Sequence, residues 1–290
     1  MSRVWLITGS SRGLGRALAE AVLASGDNLV ATARDPGQLA DLYEQYGDQV
    51  LTLALDVTDE AAAAAAVEAG MKRFGRIDML VNNAGYGSVG SIEDTSLADF
   101  RAQIETNLFG TIIMTKAVIA LMRRQRAGHI IQFSSVGGRI GPAGRGAYSA
   151  AKFGVEGFSE VLAKEVAPFG IKVTVIEPGG FRTDFAGSST VLAEGRQDYA
   201  ETVGATARFQ RAYNGRQPGD PAKAAAVVIH IAGLDEPPFR LLLGSDAVRN
   251  VEKADAARLE ADREWRAVSV STDFDPDAEA GPMPWEKKAG

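Results

Sequence analysis

The sequence predicts an α/β fold: one doubly wound parallel sheet of about seven strands, flanked by helices and held in a single domain. Three observations carry this. Seven short apolar or β-branched runs alternate with longer stretches of helical periodicity, the order that lays crossover helices over a parallel sheet. The runs lack an apolar–polar alternation, as strands covered on both faces do. No linker divides the 290 residues, a length that one large α/β domain can fill.

In chain order the strands are expected over 4–8, 28–33, 50–55, 78–84, 129–134, 172–178 and 239–244. Helical patterns fall near 13–25, 36–46, 59–73, 97–125, 148–167 and 221–233. The alanine run at 61–66 is a strong helix former between acidic and basic ends. "RRQR" at 123–126 reads as cations closing a helix C-terminus, where the dipole favours them. After the sixth strand, about 182–219 form a helical insert of weak periodicity on the substrate side, a length that marks a functional or mobile segment. A last helix over roughly 246–267 completes a domain spanning 1–268, and the acidic, Pro/Gly-rich 269–290 form a loosely held tail.

Composition removes several function classes. Net charge is −6, so nucleic acid and anionic membranes are not expected partners. With no cysteine, disulfides, thiolate catalysis and Cys-ligated metal are excluded. His129 and His230 have no metal-ligand spacing, so no metal site is expected. No run approaches ~18 uncharged apolar residues, and "VWLIT" is too short for a signal peptide. A cytoplasmic protein is expected.

The first strand runs straight into "TGSSRGLG", with Gly9, Ser11, Arg12, Gly13, Leu14 and Gly15, and then a helical pattern. Glycines there permit a tight turn and close backbone approach to a pyrophosphate at a helix N-terminus. The spacing is G-x-x-x-G-x-G, outside the commoner G-x-G-x-x-G fingerprint. Taken with "NNAG" at 82–85, "YSAAK" at 148–152 and a serine thirteen residues before its tyrosine, the chain resembles the short-chain dehydrogenase/reductase family. Within that family it looks similar to bacterial members described as like 17β-hydroxysteroid dehydrogenases, a likeness that identifies no substrate. The motifs fall in family order over 1 to about 245.

The resemblance implies a Rossmann-like fold, a nicotinamide dinucleotide, and assembly as a homodimer or homotetramer. It places Asn83, Ala84 and Gly85 beside the cofactor together with the glycine loop. Asp56 and Val57 resemble positions that hold the adenine, although Asp56, Thr58 or Asp59 would equally cap the next helix. Pro178 and Gly179 would turn the chain near the nicotinamide, with Phe181 and Thr183 on the ring and its carboxamide. As for the type of dinucleotide, ~20 residues beyond Gly15 stands Asp35, an acid that by itself points to NAD. By register, however, the strand-ending position that is acidic in NAD-using relatives is Ala33. Arg34 follows, and with Arg12 it resembles the basic pair of NADP-binding members, able to clamp a 2′-phosphate. The alternative is that both arginines are solvated loop residues. NADP is expected ahead of NAD, with Asp35 either facing away from the ribose or competing for Arg34.

Tyr148 and Lys152 lie four apart, on one helix face. Alone, such a pair is ordinary surface. By resemblance, Tyr148 is the general acid/base, Ser135 (over Ser134) orients the carbonyl oxygen, Lys152 holds the nicotinamide ribose, and Asn107 supports a water leading from Lys152. The residue types suit reduction of a ketone, whose alkoxide must be protonated as it forms. Bringing a tyrosine from ~10 to near 7 takes ~4 kcal/mol of preferential phenolate stabilisation, part of it from a nearby ammonium. Tyr86, Val136, Gly137, Gly138 and Ile140 are expected to line the substrate side, with Phe185 and the insert as a lid. That lining suggests a hydrophobic ketone or secondary alcohol, although Arg139, Arg145 and Arg182 stand close in sequence. The expected activity is an NADP(H)-dependent oxidoreductase. The alternative is a non-catalytic NADP-sensing or scaffold protein, which would be expected to lack the tyrosine or lysine.

Overall fold

The computed structural model describes residues 2–187, 189–193, 195–274 and 281. Its strands are β1 (Val4–Thr8), β2 (Asn28–Ala33), β3 (Val50–Ala54), β4 (Met79–Asn82), β5 (Gly87–Val89), β6 (Gly128–Phe133), β7 (Ile171–Pro178), β8 (Thr190–Leu192) and β9 (Arg240–Leu243). Its α-helices are α1 (Gly13–Ala24), α2 (Ala40–Tyr46), α3 (Glu60–Phe74), α4 (Leu97–Ile104), α5 (Gly110–Gln125), α6 (Gly146–Val166), α7 (Ala205–Tyr213), α8 (Pro221–Ala232) and α9 (Ser245–Val270). The seven expected strands form one parallel sheet in the order β3-β2-β1-β4-β6-β7-β9. The fold is therefore the doubly wound, Rossmann-like one that the sequence predicts.

Strand β1 shows why this sheet forms. All five of its residues are buried. Trp5 and Ile7 enter the core beneath α1 and α8, while Val4 and Leu6 enter the opposite core with Met114 and Val118 of α5. Burying each large apolar side chain contributes about 1.5–3 kcal/mol. The chain order reverses at β1, which pairs with β2 on one side and β4 on the other. Loops leaving the C-terminal ends of β1 and β4 therefore diverge, and a crevice opens between them.

Local chemistry sets the helix ends. Asp59 accepts from the Ala62 N–H and starts α3, and left-handed Gly75 ends it behind Lys72 and Arg73. Asp220 with Pro221 starts α8. The basic run closes α5 as expected, with Arg123 and Arg124 in the last turn and Arg126 in the left-handed conformation.

The helix expected over 97–125 carries a π-helical turn, Glu105–Phe109, between α4 and α5. Gly110 just beyond it lies against Val57, where a Cβ would not fit beside the valine side chain with its Cβ 3.1 Å away. The stretch Leu97–Gln125 is long and apolar enough to cross a bilayer by length and composition, but 39% of its most apolar window is buried within the protein.

The insert contains β8, which pairs in parallel with β5, then a π-helical turn (Ala200–Gly204) and α7. Val203 and Ala207 bury against Val89, with Leu192 and Tyr199 around them. Residues 1–250 form one compact unit and 251–290 a second. In the latter, α9 continues to Val270; of the expected tail, 275–280 and 282–290 lie outside the described residues.

One core group predicts a pH dependence. His129 of β6 is 2% exposed, and its Nε2 lies 2.9 Å from Thr174 Oγ1. The threonine hydroxyl donates its own proton to Pro238 O at 2.8 Å, so Nε2–H is the donor to Thr174 and Nδ1 is left buried without a partner among the described residues. Burial, with a smaller push from Lys172, holds the imidazole at about 4. Its unfolded value is ~6.5, so the contribution is complete above that pH and fades as pH falls toward 4. Urea unfolding is expected to show about 2 kcal/mol lost through this group between pH 7 and pH 5. His129→Gln should flatten that window; an unchanged slope would reject the assignment.

Candidate active site

The glycine loop joins β1 to α1. Gly9 and Gly13 have φ of +69° and +62°, and a Cβ on Gly15 would overlap Gly9 O and Asn83 Nδ2. Asn83 Nδ2 donates to Thr8 O at 3.0 Å and Gly9 O at 3.1 Å. Thr8 Oγ1 in turn receives the N–H groups of Asn83 and Ala84, each at 3.0 Å. The ends of β1 and β4 are laced together, and Asn83 braces the loop from beneath. Across the loop stands Thr183, 3.6 Å from where a Gly13 Cβ would lie. Its Oγ1 accepts from the Phe185 N–H.

Ala33 ends β2, paired with Ala54, as the register argument expected. Asp35 bends back into its own turn, where its carboxylate accepts the Gly37 N–H at 2.9 Å and caps Pro36–Leu39. Arg12 and Arg34 are exposed, and neither side chain has a hydrogen-bond partner among the described residues. Asp56 accepts the Thr58 N–H and hydroxyl at 3.0 and 2.8 Å, bonds that lower its pKa with a small contribution from Arg34, while Asp59 caps α3. Val57 is buried against Gly110. Excluded Cβ positions in the loop, the N-terminus of α1 and two exposed cations fit a phosphate-bearing dinucleotide. Gly9, Gly13, Gly15, Arg12, Arg34 and Thr183 are the residues that could hold such a group.

The second half of the site lies at the ends of β6 and β7. Ser135 follows β6; its Oγ accepts the Gly137 N–H at 3.0 Å and borders Gly137 beside the Tyr148 ring of α6. Gly137 has no room for a side chain, since a Cβ would stand 3.0 Å from the Tyr148 ring. One turn along α6, Lys152 donates to Phe133 O at 2.7 Å, with Nζ 6.0 Å from the tyrosine ring centroid. Burial holds the Lys152 ammonium at about 8, opposed by the Glu156 charge. Burial also raises the Tyr148 phenol above its ordinary value, opposed by Ser135 and Arg145.

Asn107 sits within the π-helical turn, fully buried. It clamps the backbone of Tyr86, donating to its carbonyl at 3.0 Å and accepting its N–H at 3.2 Å. A Cβ on Gly85 would overlap Asn107 Oδ1 and stand 3.8 Å from Lys152 Nζ, so Gly85, Asn107 and Lys152 converge. The turn also displaces the helix register, which brings Asn107 to this end of the sheet. Phe185 of the insert stacks obliquely on Tyr148 at 5.7 Å between centroids. Val136 opens the short turn Val136–Gly138, and Ile140 continues it through an N–H bond to Val136 O at 3.0 Å. At the end of β7, the Gly179 N–H bonds to Leu243 O and the Gly180 N–H to Asp246, which fixes the turn after Pro178. Phe181 leaves that turn to pack on the core beside α1.

Two groups escape the sequence motifs. Arg145 places its guanidinium 5.6 Å from the Tyr148 ring centroid and donates to Gln210 of α7 at 2.5 Å. Behind Lys152, Glu156 and Glu177 are buried together between Arg139 and Arg240. Tyr148, Lys152, Glu156 and Glu160 repeat every fourth residue, and that stripe is the one sequence signal for the second group. Chemically, the site offers a buried phenol and a hydroxyl converging on one point, an ammonium close behind, and a phosphate cradle beside them.

The sequence model of the short chain dehydrogenase family matches residues 3–191. "Oxidoreductase BOA17" of Botryotinia fuckeliana is 49% identical over 273 residues, which cover 94% of this chain and all of that one. The "3-ketodihydrosphingosine reductase" of Bacteroides thetaiotaomicron is 38% identical, covering 83% of this chain and 88% of its own. A crystal structure of a short-chain dehydrogenase from Streptomyces avermitilis superimposes with a TM-score of 0.89 at 42% identity, over 94% of this chain and all of that one.

Proposed function

The chain belongs to the short chain dehydrogenase family, and from that premise we propose that it interconverts a hydrophobic ketone and its secondary alcohol with NADP(H), Tyr148 exchanging the proton. The observation that carries the proposal is that the buried Tyr148 ring and Ser135 Oγ both border Gly137, 3.0 and 3.5 Å from where its Cβ would lie, one helical turn from a buried Lys152. In the reductive direction, the substrate oxygen accepts from both hydroxyls. Ser135 fixes its direction, and the phenol proton of Tyr148 moves to that oxygen as negative charge develops there. The dinucleotide, when bound, supplies the hydride. Lys152 holds the ribose side of the site, and its charge supports the phenolate left on Tyr148. Asn107 keeps Gly85 and Tyr86 in place against the ammonium.

Preference for NADP rests on Arg12 and Arg34, both available, and on Asp35, whose carboxylate is engaged with Gly37. A 2′-phosphate would receive charge-assisted hydrogen bonds that an NAD ribose does not. An apolar substrate is supported by Phe185 beside Tyr148 and by the lipid-like ketone in the name of the Bacteroides relative. The experiment is a panel of ketones run with NADPH and NADH in parallel, on the unaltered chain and on Arg34→Ala. Turnover with NADPH is expected, and the substitution should weaken NADPH binding about ten- to hundredfold while leaving NADH nearly unchanged. Equal losses for both cofactors would reject the 2′-phosphate clamp. NADPH binding without turnover on any ketone would favour a sensing role.

A further inference from the structure

The YxxxK motif assigns one cation to Tyr148, yet the structure brings two. Lys152 Nζ stands 6.0 Å from the ring centroid and is directed to Phe133 O. The Arg145 guanidinium stands nearer, at 5.6 Å, one turn before the tyrosine at the start of α6. Its two arms are treated differently. Nη2 bonds to Gln210 of α7 at 2.5 Å. Nη1 is shut off from solvent and has no hydrogen-bond partner among the described residues. It lies in a niche beside Gly87, where a Cβ would stand 3.0 Å from Nη1 and also meet Thr190 and Phe185. The missing side chain at Gly87 is what leaves the guanidinium room.

Such an arrangement is costly for a side chain with a merely mechanical role. A buried donor without a partner is destabilising, and more so when it is charged. Burial of Arg145 works against its charge. The cost is offset when negative charge appears next to it, and the neighbouring group able to take one is the Tyr148 phenol. We propose that Arg145 is a positioning residue that acts through Tyr148. Held by Gln210, its guanidinium favours the phenolate over the phenol, so the placement of α7 in the insert sets the acidity of the proton donor. The proposal rests on the role given to Tyr148 above.

The other groups facing the phenol do not supply this. Ser135 stands beside it as a neutral hydroxyl, Phe185 covers it from the insert, and neutral Asn107 lies on the Lys152 side. Lys152 is lowered by burial to about 8, with the Glu156 carboxylate on the turn beyond supporting its proton, and its Nζ is directed to Phe133 O. Among the described residues, Arg145 has no carboxylate hydrogen-bond partner; Gln210 fixes it without cancelling its charge.

The test follows the Tyr148 phenol by its ultraviolet phenolate absorbance. The signal is isolated by subtracting Tyr148→Phe, in full-length protein without substrate. Arg145→Met is expected to raise the titration midpoint by about one pH unit, a tenfold loss of acidity, with Arg145→Lys restoring most of it. Gln210→Leu should move the midpoint the same way while keeping the arginine, and it stands in if Arg145→Met fails to fold. The pH profile of kcat/KM should shift in parallel, with NADPH affinity held. An unmoved midpoint in folded Arg145→Met or Gln210→Leu protein overturns the proposal, even where melting temperature falls. Because the absorbance needs no turnover, its result is separate from the proposed activity, which fails instead if Tyr148→Phe still turns over.

Discussion

Tyr148→Phe is expected to lower kcat by about 10²–10⁴-fold, the contribution of a positioned general acid, while leaving the fold and NADPH affinity intact. The ring would stay packed on Phe185 at 5.7 Å between centroids. Ser135 would keep its bond from the Gly137 N–H at 3.0 Å. Only the hydroxyl would go. Steady-state rates on an active ketone, set beside a fluorescence titration of NADPH, separate the two effects. A rate within threefold of the parent, or about that, would remove Tyr148 from the proton transfer altogether.

The largest expected effect on stability lies behind the site. Glu177 is wholly buried and Glu156 nearly so, and each depends on an arginine. Arg240 Nε lies 2.9 Å from Glu156 and 3.7 Å from Glu177, and its Nη2 reaches Glu160 at 3.0 Å. Burial and the Glu156 charge already push the Glu177 carboxyl up, with Arg139 and Arg240 opposing. Arg240→Met would leave buried Glu156 without its arginine and Glu177 with Arg139 alone. Removing one partner of a buried pair costs about 3–5 kcal/mol, and the low end, about 3, is expected here because Arg240 is one-third exposed. The sign with pH is definite. The penalty falls on the charged carboxylates, so the loss should be larger at pH 8 than at pH 5, where protonation relieves it. Adding Glu177→Gln should recover part of the loss. Chemical unfolding of the three proteins at both pH values is the measurement, and a pH-independent loss would rule out the electrostatic account.

These cases mark where the sequence was legible. The seven strands of the sheet could be placed to within two or three residues, because buried parallel strands are written as continuous apolar runs bounded by turns. The glycine loop could be read because Gly9, Gly13 and Gly15 answer local backbone demands. Asp35 was ambiguous in sequence because the strand register and the Asx turn to Gly37 are both needed to see where its carboxylate goes. β5 and β8 escaped, being three residues each and formed across about a hundred residues of chain. The π-helical turn around Asn107 escaped as well, since it depends on packing of Gly110 against Val57 and on the Tyr86 backbone. Arg145 and Gln210 are 65 residues apart, and no periodicity links a guanidinium to an amide on another element.

The lacing of β1 to β4 has a consequence for the protein as it is made. The loop that would cradle the dinucleotide is complete in sequence by Gly15, yet its brace, Asn83, comes 74 residues after Gly9. Its facing wall, Thr183, is later still. A ribosome therefore delivers the phosphate loop first and its supports last. Until Thr183 has emerged, the nascent chain carries half a cradle, and ligand binding cannot stabilise it. Cofactor would act as a chaperone only for chains that have emerged past Thr183. Its concentration in the cell would then govern how many completed molecules survive, and not how many begin to fold.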